Sequence, residues 1–139
     1  MAPKNKSWYS RNKDTALKRS KEWRKSNVDK YKAIVRRQRK RYKLRALSLV
    51  GGAFCVGCGE TDLACLSIDH INGDGAQDRK KARNRGGTQM YLELISGRRG
   101  VVGLRCLCMN CQYRAITYGP NPDIWEEKRK DLEEDISYD

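Results

Sequence analysis

The spacing of apolar residues in the first third of the chain is that of amphipathic helices. A short helix is predicted from about Asp14 to Lys25, after a loosely ordered stretch over residues 1–12. A second helix of about 23 residues is predicted after Asn27, a suitable N-cap, and ends at the glycine pair Gly51-Gly52. Its apolar members recur at helical spacing: Tyr31, Ile34, Val35, Tyr42, Ala46 and Leu49.

Beyond Gly52 the pattern changes to short apolar runs separated by turns. One run predicts a strand over Ala64 to Ile68, and "VVGLRCLC" at 101–108 predicts a second strand. The polar segment "NGDGAQDRKKARNRGG" after the first strand is rich in Gly, Asn and Asp and is predicted to be a loop. The combination of helices with two short strands indicates an α+β fold.

Helices are also predicted on either side of the second strand. One is capped by Thr88 and stopped by Gly97, and the other runs from about Asn110 to Tyr118 and ends at Gly119-Pro120. The tail over residues 123–139 carries 8 acids against 3 basic residues, and its first part is predicted to be helical.

Charge divides the chain into two parts. The formal net charge is +13, but residues 1–48 carry +15 and residues 49–139 carry −2. Such an excess in one segment attracts polyanions, and nucleic acid is the class of partner that it predicts first. The basic residues of the long helix that we expect to contact DNA are Arg36, Arg37, Arg39, Lys40 and Arg41. The alternative is a helix face that is simply solvated.

The sequence has neither an apolar run long enough for a membrane span nor a secretory signal at its N-terminus. We therefore expect an intracellular protein without a membrane partner. In a reducing compartment, six cysteines are expected to include metal ligands and not to form structural disulfides.

The cysteine spacing predicts a zinc site. Cys55 and Cys58 form one CxxC pair and Cys108 and Cys111 a second, with 49 residues between the pairs. Four thiolates from two tight turns suit tetrahedral zinc, and a site with four cysteines has no open position for catalysis. The zinc is therefore expected to be structural. The remaining cysteines, Cys65 and Cys106, fall on the predicted strands and are expected to be small core residues.

Asp69 and His70 stand side by side at the end of the first predicted strand, and His70 is the only histidine. We expect zinc binding to bring this strand end close to the start of the helix that carries Asn110 and Gln112. A carboxylate and amide oxygens suit Mg²⁺, and a neutral imidazole can take a proton from water near neutrality. These residues therefore indicate phosphodiester hydrolysis. The alternative is a buried Asp-His pair that caps the loop.

The motifs "CVGC", "LSIDHINGDG" and "GLRCLCMNCQYRA" resemble those of HNH endonucleases of the ββα-metal, or His-Me finger, superfamily. The resemblance covers roughly residues 50–119 and is particularly to small phage-encoded members with paired zinc knuckles. The motifs are also similar to those of phage endonucleases that cleave branched DNA. The resemblance implies a ββα-metal core with a structural zinc site of four cysteines, preceded by a basic helical arm.

The resemblance also implies roles for individual residues. His70 is expected to be the general base, and Asp69 a ligand of a catalytic Mg²⁺ or Mn²⁺ ion. The residue after Cys111 is expected to be the second ligand of that ion, and Gln112 stands there where many relatives have His or Asn.

Two other amide side chains could also bind the catalytic ion or assist His70. Asn110 or Asn72 could replace Gln112 as a ligand or orient the imidazole. The middle Asn of the family, a few residues before the second CxxC, has no counterpart, because Gly103 stands there.

The prediction as a whole is a zinc-stabilised DNA endonuclease that nicks or cuts its substrate. Its parts are a basic helical DNA-binding arm over residues 1–50, a nuclease domain over 51–119 and an acidic tail over 120–139. The alternatives are a non-catalytic, zinc-dependent nucleic-acid-binding protein and an endonuclease that resolves branched DNA (Holliday junctions). Many relatives cut both strands as homodimers, and a phage-encoded member would work in the host cytoplasm. Further residues expected to contact DNA phosphates are Arg79, Lys80, Lys81, Arg83, Arg85, Arg98 and Arg99.

Overall fold

A computed structural model describes residues 8–81 and 87–136 of the chain, without the side chain of residue 136. The chain divides into two compact units, Met1–Gln38 and Arg39–Asp139. In the described ranges no helix is both long enough and apolar enough to cross a bilayer.

The first unit is helical. Helix α1 (Trp8–Arg11) lies in the stretch that was expected to be loosely ordered, so that expectation is wrong for these four residues. Helix α2 (Lys13–Ser26) confirms the predicted helix. Asn27 lies directly before α3, at the predicted N-cap position, and its carbonyl accepts a hydrogen bond from the amide of Tyr31. Its side-chain amide donates to the carbonyl of Trp23, at the end of α2.

Helix α3 (Val28–Leu49) is 22 residues long and confirms the long basic helix. Gly51 and Gly52 follow it with φ of 118° and 131°, and the amide of Gly52 donates to the carbonyl of Leu47. These conformations favour glycine and end the helix as predicted. Only Ala46 and Leu47 of this helix are buried, so most of its apolar positions are not core.

A two-stranded antiparallel sheet forms the centre of the second unit. Strand β1 (Leu66–His70) pairs with β2 (Leu104–Cys108), and Leu66 lies opposite Cys108. Both strands begin later than predicted. Ala64 donates its amide to the side chain of Asp62 and is held in a turn. Gly103, at φ 77°, likewise forms a turn before β2.

The connection between the strands contains two helices. Helix α4 (Gly75–Lys81) occupies part of the segment that was predicted to be a loop. That prediction gave weight to Gly, Asn and Asp and missed a run of good helix formers with basic residues in its last turn. Helix α5 (Gly87–Ile95) begins one residue before Thr88, so Thr88 is helical and is not the predicted N-cap.

Two helices complete the unit. Helix α6 (Met109–Tyr118) starts directly after β2 and packs on both strands. Helix α7 (Trp125–Ile136) follows a short 3-10 turn and confirms that the first part of the acidic tail is helical.

The core of the second unit consists of two clusters of buried residues. The larger contains Leu47, Cys55, Leu66, Cys106, Leu107, Cys108, Cys111 and Trp125. The smaller contains Ala46, Leu94 and Leu104. Cys106 is therefore a core residue as predicted, whereas Cys65 is exposed and its predicted core position is wrong. The reason is the late start of β1, which leaves Cys65 in the turn before the strand.

Candidate metal centre and histidine clefts

The four cysteines of the two CxxC pairs come together as one group, which we call the four-cysteine cluster (Cys55, Cys58, Cys108 and Cys111). Their sulfur atoms all lie within 4.8 Å of one another, and the Sγ atoms of Cys58 and Cys108 are 3.7 Å apart. A tetrahedral zinc ion with Zn–S bonds of about 2.3 Å needs sulfurs roughly 3.8 Å apart. The four-cysteine cluster could therefore hold a structural metal ion such as zinc.

Backbone hydrogen bonds shape both knuckles of the four-cysteine cluster. In the first, the amide of Gly59 donates to the carbonyl of Cys55 at 2.8 Å. In the second, the amide of Cys111 donates to the Sγ of Cys108. The amide of Val56 donates to the carbonyl of Cys106, which ties the first knuckle to β2.

The thiols of the four-cysteine cluster differ in acidity. Burial opposes ionisation of Cys55, but hydrogen bonds from the backbone amides of Cys108, Gly57 and Cys58 outweigh it and lower the Cys55 pKa to about 7. Burial raises the pKa of Cys111 well above its usual range, and the neighbouring thiols add to this. Ionisation of one thiol is thus favoured and ionisation of a second is opposed. This is expected of a group of thiols that ionises fully only when it binds a cation.

Trp125 packs against the four-cysteine cluster. A Cβ atom at Gly57 would lie 2.6 Å from the Trp125 ring and 3.1 Å from the Sγ of Cys111, so only glycine fits between them. The indole Nε1 of Trp125 donates to the carbonyl of Gly119 at 2.8 Å. The acidic tail therefore contributes a buried residue to the metal centre, which its charge pattern did not indicate.

The four-cysteine cluster and His70 lie at opposite ends of the sheet. Cys108 pairs with Leu66, whereas His70 pairs with Leu104, four residues along each strand. The start of α6 lies beside the beginning of β1, because the amide of Met109 donates to the carbonyl of Cys65. Gln112, in the first turn of α6, nevertheless lines a cleft with Asp69 and His70, as do Ala115 and Ile116 of its later turns.

Asp69 lines a cleft of about 410 Å³, here called the Asp69 cleft. Arg105, its partner on β2, donates from Nε to the Oδ2 of Asp69 at 2.8 Å and from Nη1 to the carbonyl of Pro120. Gln112 of α6 lines the same cleft, and its Nε2 donates to the Oγ of Ser67. The cleft therefore combines a carboxylate, an amide and a guanidinium that is itself buried.

His70 lines the Asp69 cleft and also a second cleft of about 520 Å³, here called the His70 cleft. Its Nε2 lies 3.1 Å from the Oδ2 of Asp78 and 3.1 Å from the Nη2 of Arg99. Arg99 also donates to Asp78, and its Nη1 is 4.0 Å from Glu93. The hydrogen bond from Arg99, with a smaller contribution from His70, lowers the pKa of the Asp78 carboxyl below its ordinary value.

The other residues proposed for the site lie around these clefts. Asn72 lines both of them. Asn110 is exposed in the first turn of α6 and, in the described part of the chain, lines neither. Gly103 accepts a hydrogen bond at its carbonyl from the amide of Ile71 at 2.9 Å and so joins the ends of the two strands.

Most of the basic residues expected to contact DNA are exposed. The exposed ones are Arg36, Arg37, Arg39, Lys40, Arg41, Arg79, Lys80, Lys81 and Arg98. Arg99 differs, because it is held between His70, Asp78 and Glu93, and only 15% of its side chain is exposed. Arg83 and Arg85 lie outside the described residues.

The sequence reasoning missed three partners of the Asp69-His70 pair: Asp78, Arg99 and Arg105. Arg105 is recognisable only once the strand register is known, because it lies 36 residues after Asp69. The sequence predicts a loop at Asp78, so it does not indicate that a helix holds this carboxylate beside His70.

Comparison of the chain with protein-family models, with curated proteins and with solved structures finds no match.

Proposed function

We propose that the chain is a metal-dependent DNA endonuclease with an HNH-type, ββα-metal core that hydrolyses phosphodiester bonds. The observation that carries the proposal is the meeting of Asp69 and His70, at the end of β1, with Gln112 of α6 at one cleft. The carboxylate, imidazole and amide are the groups that such a reaction requires of the protein.

Asp69 and Gln112 are the residues that would hold Mg²⁺ or Mn²⁺. Arg105 occupies Oδ2 of Asp69 and leaves Oδ1, while Gln112 uses its Nε2 on Ser67 and leaves Oε1. Mg²⁺ is commonly bound by one or two protein ligands and completes its shell with water and substrate phosphate oxygens, so these donors fit it. When bound, the ion would stabilise negative charge on the phosphate group.

His70 acts as the general base in this proposal. Its imidazole takes a proton from the water that attacks phosphorus, and 14% of its side chain is exposed. The exposed arginines and lysines of α3 and α4 bind backbone phosphates, which gives affinity that falls with salt. These two roles are separable by mutation.

The test is cleavage of supercoiled plasmid by the full-length, zinc-loaded protein. We expect nicked or linear product with Mg²⁺ or Mn²⁺ and none with EDTA. His70→Ala should reduce cleavage by about 100-fold or more, because general base catalysis contributes 10²–10⁴-fold, while DNA affinity measured by fluorescence anisotropy should be unchanged. Unchanged cleavage by His70→Ala would exclude His70 as the base.

A matched pair of variants tests the second metal ligand. Gln112→Ala should abolish cleavage, whereas Asn110→Ala, two residues away on the same helix, should retain it. Loss of cleavage in Asn110→Ala alone would transfer the ligand role to Asn110. Faster cleavage of a four-way junction than of a linear duplex of the same sequence would mark the enzyme as a branched-DNA, or Holliday-junction, resolving endonuclease.

A second candidate function is zinc-dependent nucleic-acid binding without catalysis. The observation that favours it is the 2.8 Å ion pair between Asp69 and Arg105, which already supplies a positive charge to the carboxylate. This alternative predicts salt-dependent DNA binding with no cleavage in any divalent metal. Metal-dependent plasmid nicking that His70→Ala abolishes would rule it out.

A further inference from the structure

Helix α4 brings two features against the ring of His70. Asp78 lies with its Oδ2 3.1 Å from Nε2. Gly75, almost one helical turn earlier, lies on the other side, and a Cβ there would be 2.9 Å from Nδ1. The two ring nitrogens therefore have different surroundings, a carboxylate at Nε2 and a residue without a side chain at Nδ1.

The geometry points to Asp78, held by Arg99, as a positioning residue that keeps the proton of neutral His70 on Nε2 and leaves Nδ1 to accept a proton from water. This inference rests on the proposed function, because it concerns the imidazole that acts there as base. It assigns the proton transfer to one atom: a water O–H bond breaks, and its proton moves to Nδ1. The hydroxide oxygen bonds to phosphorus while the bond from phosphorus to the leaving sugar oxygen breaks, and that oxygen takes a proton from solvent water.

The proton location follows from the partners of Nε2. An ionised carboxylate can only accept hydrogen bonds, so the 3.1 Å contact with Asp78 is favourable when Nε2 carries a proton. Without that proton, the lone pair of Nε2 would face the carboxylate oxygen. The bond that the second nitrogen of a histidine makes is what sets its tautomer.

Arg99 holds the carboxylate in place. Its Nη2 donates to the same oxygen of Asp78 that faces His70, and 15% of its side chain is exposed. The same Nη2 also lies 3.1 Å from Nε2 of His70, so Arg99 would donate to the ring if the proton moved to Nδ1. The two tautomers thus correspond to two different hydrogen-bond partners, and the choice between them is measurable.

Gly75 lets helix α4 lie close against the ring of His70. A Cβ at this position would begin 2.9 Å from Nδ1, 3.3 Å from Cε1 and 3.4 Å from Cγ, over the face of the ring, and would push the ring out of its place. Gly75 is not in the left-handed region of backbone conformation, so this steric effect can be tested without backbone strain. Gly100 lines the same cleft, and a Cβ there would meet open space, which makes it a matched control.

The test uses the fact that His70 is the only histidine. Full-length, zinc-loaded protein labelled with ¹⁵N gives one pair of imidazole nitrogen signals, and their chemical shifts report which nitrogen is protonated at a pH where the ring is neutral. We expect protonated Nε2 in the wild type. Asp78→Asn should increase the population with protonated Nδ1 and reduce plasmid cleavage about 10- to 100-fold, the usual cost of losing a partner that orients a histidine.

Asp74→Asn is the control for charge, because Asp74 lines the same cleft. Its backbone carbonyl, which the substitution leaves unchanged, accepts a hydrogen bond from the amide of Asp78. This variant should retain both the wild-type tautomer and wild-type cleavage. Gly75→Ala should displace the ring from Asp78 and reduce cleavage at least tenfold, whereas Gly100→Ala should retain it. Zinc content and circular dichroism identify any variant that fails to fold, and the tautomer of the wild type still decides the inference in that case.

The outcomes separate the two proposals. Protonated Nδ1 in a wild type that cuts DNA refutes the positioning role alone, as does an Asp78→Asn variant that loses cleavage with an unchanged tautomer. Full cleavage by a folded Gly75→Ala variant refutes the requirement that helix α4 hold the ring in this position. A wild type with protonated Nε2 that cuts no DNA refutes the proposed nuclease function and leaves the role of Asp78 in fixing the ring in place.

Discussion

At one end of the β1–β2 sheet, where Leu66 pairs with Cys108, four cysteines converge, and all of them except the exposed Cys58 belong to the larger hydrophobic cluster. At the other end, where His70 pairs with Leu104, the neighbouring groups are charged and partly exposed. The same five-residue strands thus end in a largely buried group of cysteines and in a partly exposed network of charged side chains. The cysteines that could hold a structural metal ion are therefore separated along the sheet from the residues that we propose for catalysis.

The two ends are also stabilised by different interactions. The cysteine end combines apolar burial with thiols that need a metal ion to ionise together. The histidine end relies on Asp78, Arg99 and Glu93, whose contacts are electrostatic and reach water. We therefore expect mutations at the cysteine end to act on folding and mutations at the histidine end to act on chemistry.

The largest expected effect is loss of the metal ion. Cys111→Ser, or removal of zinc with a chelator, should abolish cooperative folding of the second unit, because structural zinc in small domains contributes on the order of 10 kcal/mol or more. Trp125 packs on the cluster and is buried, unlike Trp8 and Trp23, so a red shift of tryptophan fluorescence should accompany the loss.

Cys65→Ser is the matched control for that experiment, because Cys65 is exposed and lies outside the four-cysteine cluster. It should bind one zinc ion per chain and unfold as the wild type does, as measured by metal analysis and thermal denaturation. A Cys111→Ser protein that folds cooperatively without metal would contradict a structural role for the four-cysteine cluster.

The next effect compares two leucines on β2. Leu107 is fully buried near the cysteines, whereas Leu104 is 9% exposed at the histidine end in the smaller cluster. Leu107→Ala should cost about 4 kcal/mol of unfolding free energy and Leu104→Ala about 2 kcal/mol, the upper and lower parts of the usual range for leucine truncation. Urea denaturation with saturating zinc measures both, and an equal or reversed order would contradict the comparison.

The cysteine end was largely predictable from the sequence. The spacing of Cys55, Cys58, Cys108 and Cys111 is a local signal, since each CxxC turn needs only four residues to place two sulfurs. The C-terminal end of α3 was also predictable from a local signal, because Gly51 and Gly52 adopt conformations that favour glycine. The predicted zinc site therefore agrees with the geometry of the cluster, although one of the two extra cysteines was misplaced.

The surroundings of His70 were much less predictable. One of its contacts is Asp78, which lies on a helix where the sequence predicts a loop. The other is Arg99, 29 residues further along the chain. Arg105 reaches Asp69 only through the strand register. Such pairings depend on tertiary structure. The sequence of a run of basic residues does not distinguish a member that faces solvent from one that, like Arg99, binds a carboxylate. The sequence could identify the imidazole but not the residues that orient it.

The smallest expected effect is on the electrostatic contribution of the histidine end to stability. Arg99 lowers the pKa of Asp78 below its ordinary value of 3.8, so Asp78 is charged at pH 7. The contribution of Asp78 to stability is therefore complete above pH 3.8 and is lost as the pH falls through the lowered pKa. Asp78→Asn should therefore cost less than about 1 kcal/mol at low salt and progressively less towards 1 M salt, where screening acts over about 3 Å. The cost of Leu107→Ala, measured by the same zinc-saturated urea titrations, should not fall in this way, because it reflects burial. A cost of Asp78→Asn that is equally independent of salt would mean that packing, and not charge, holds the histidine end together.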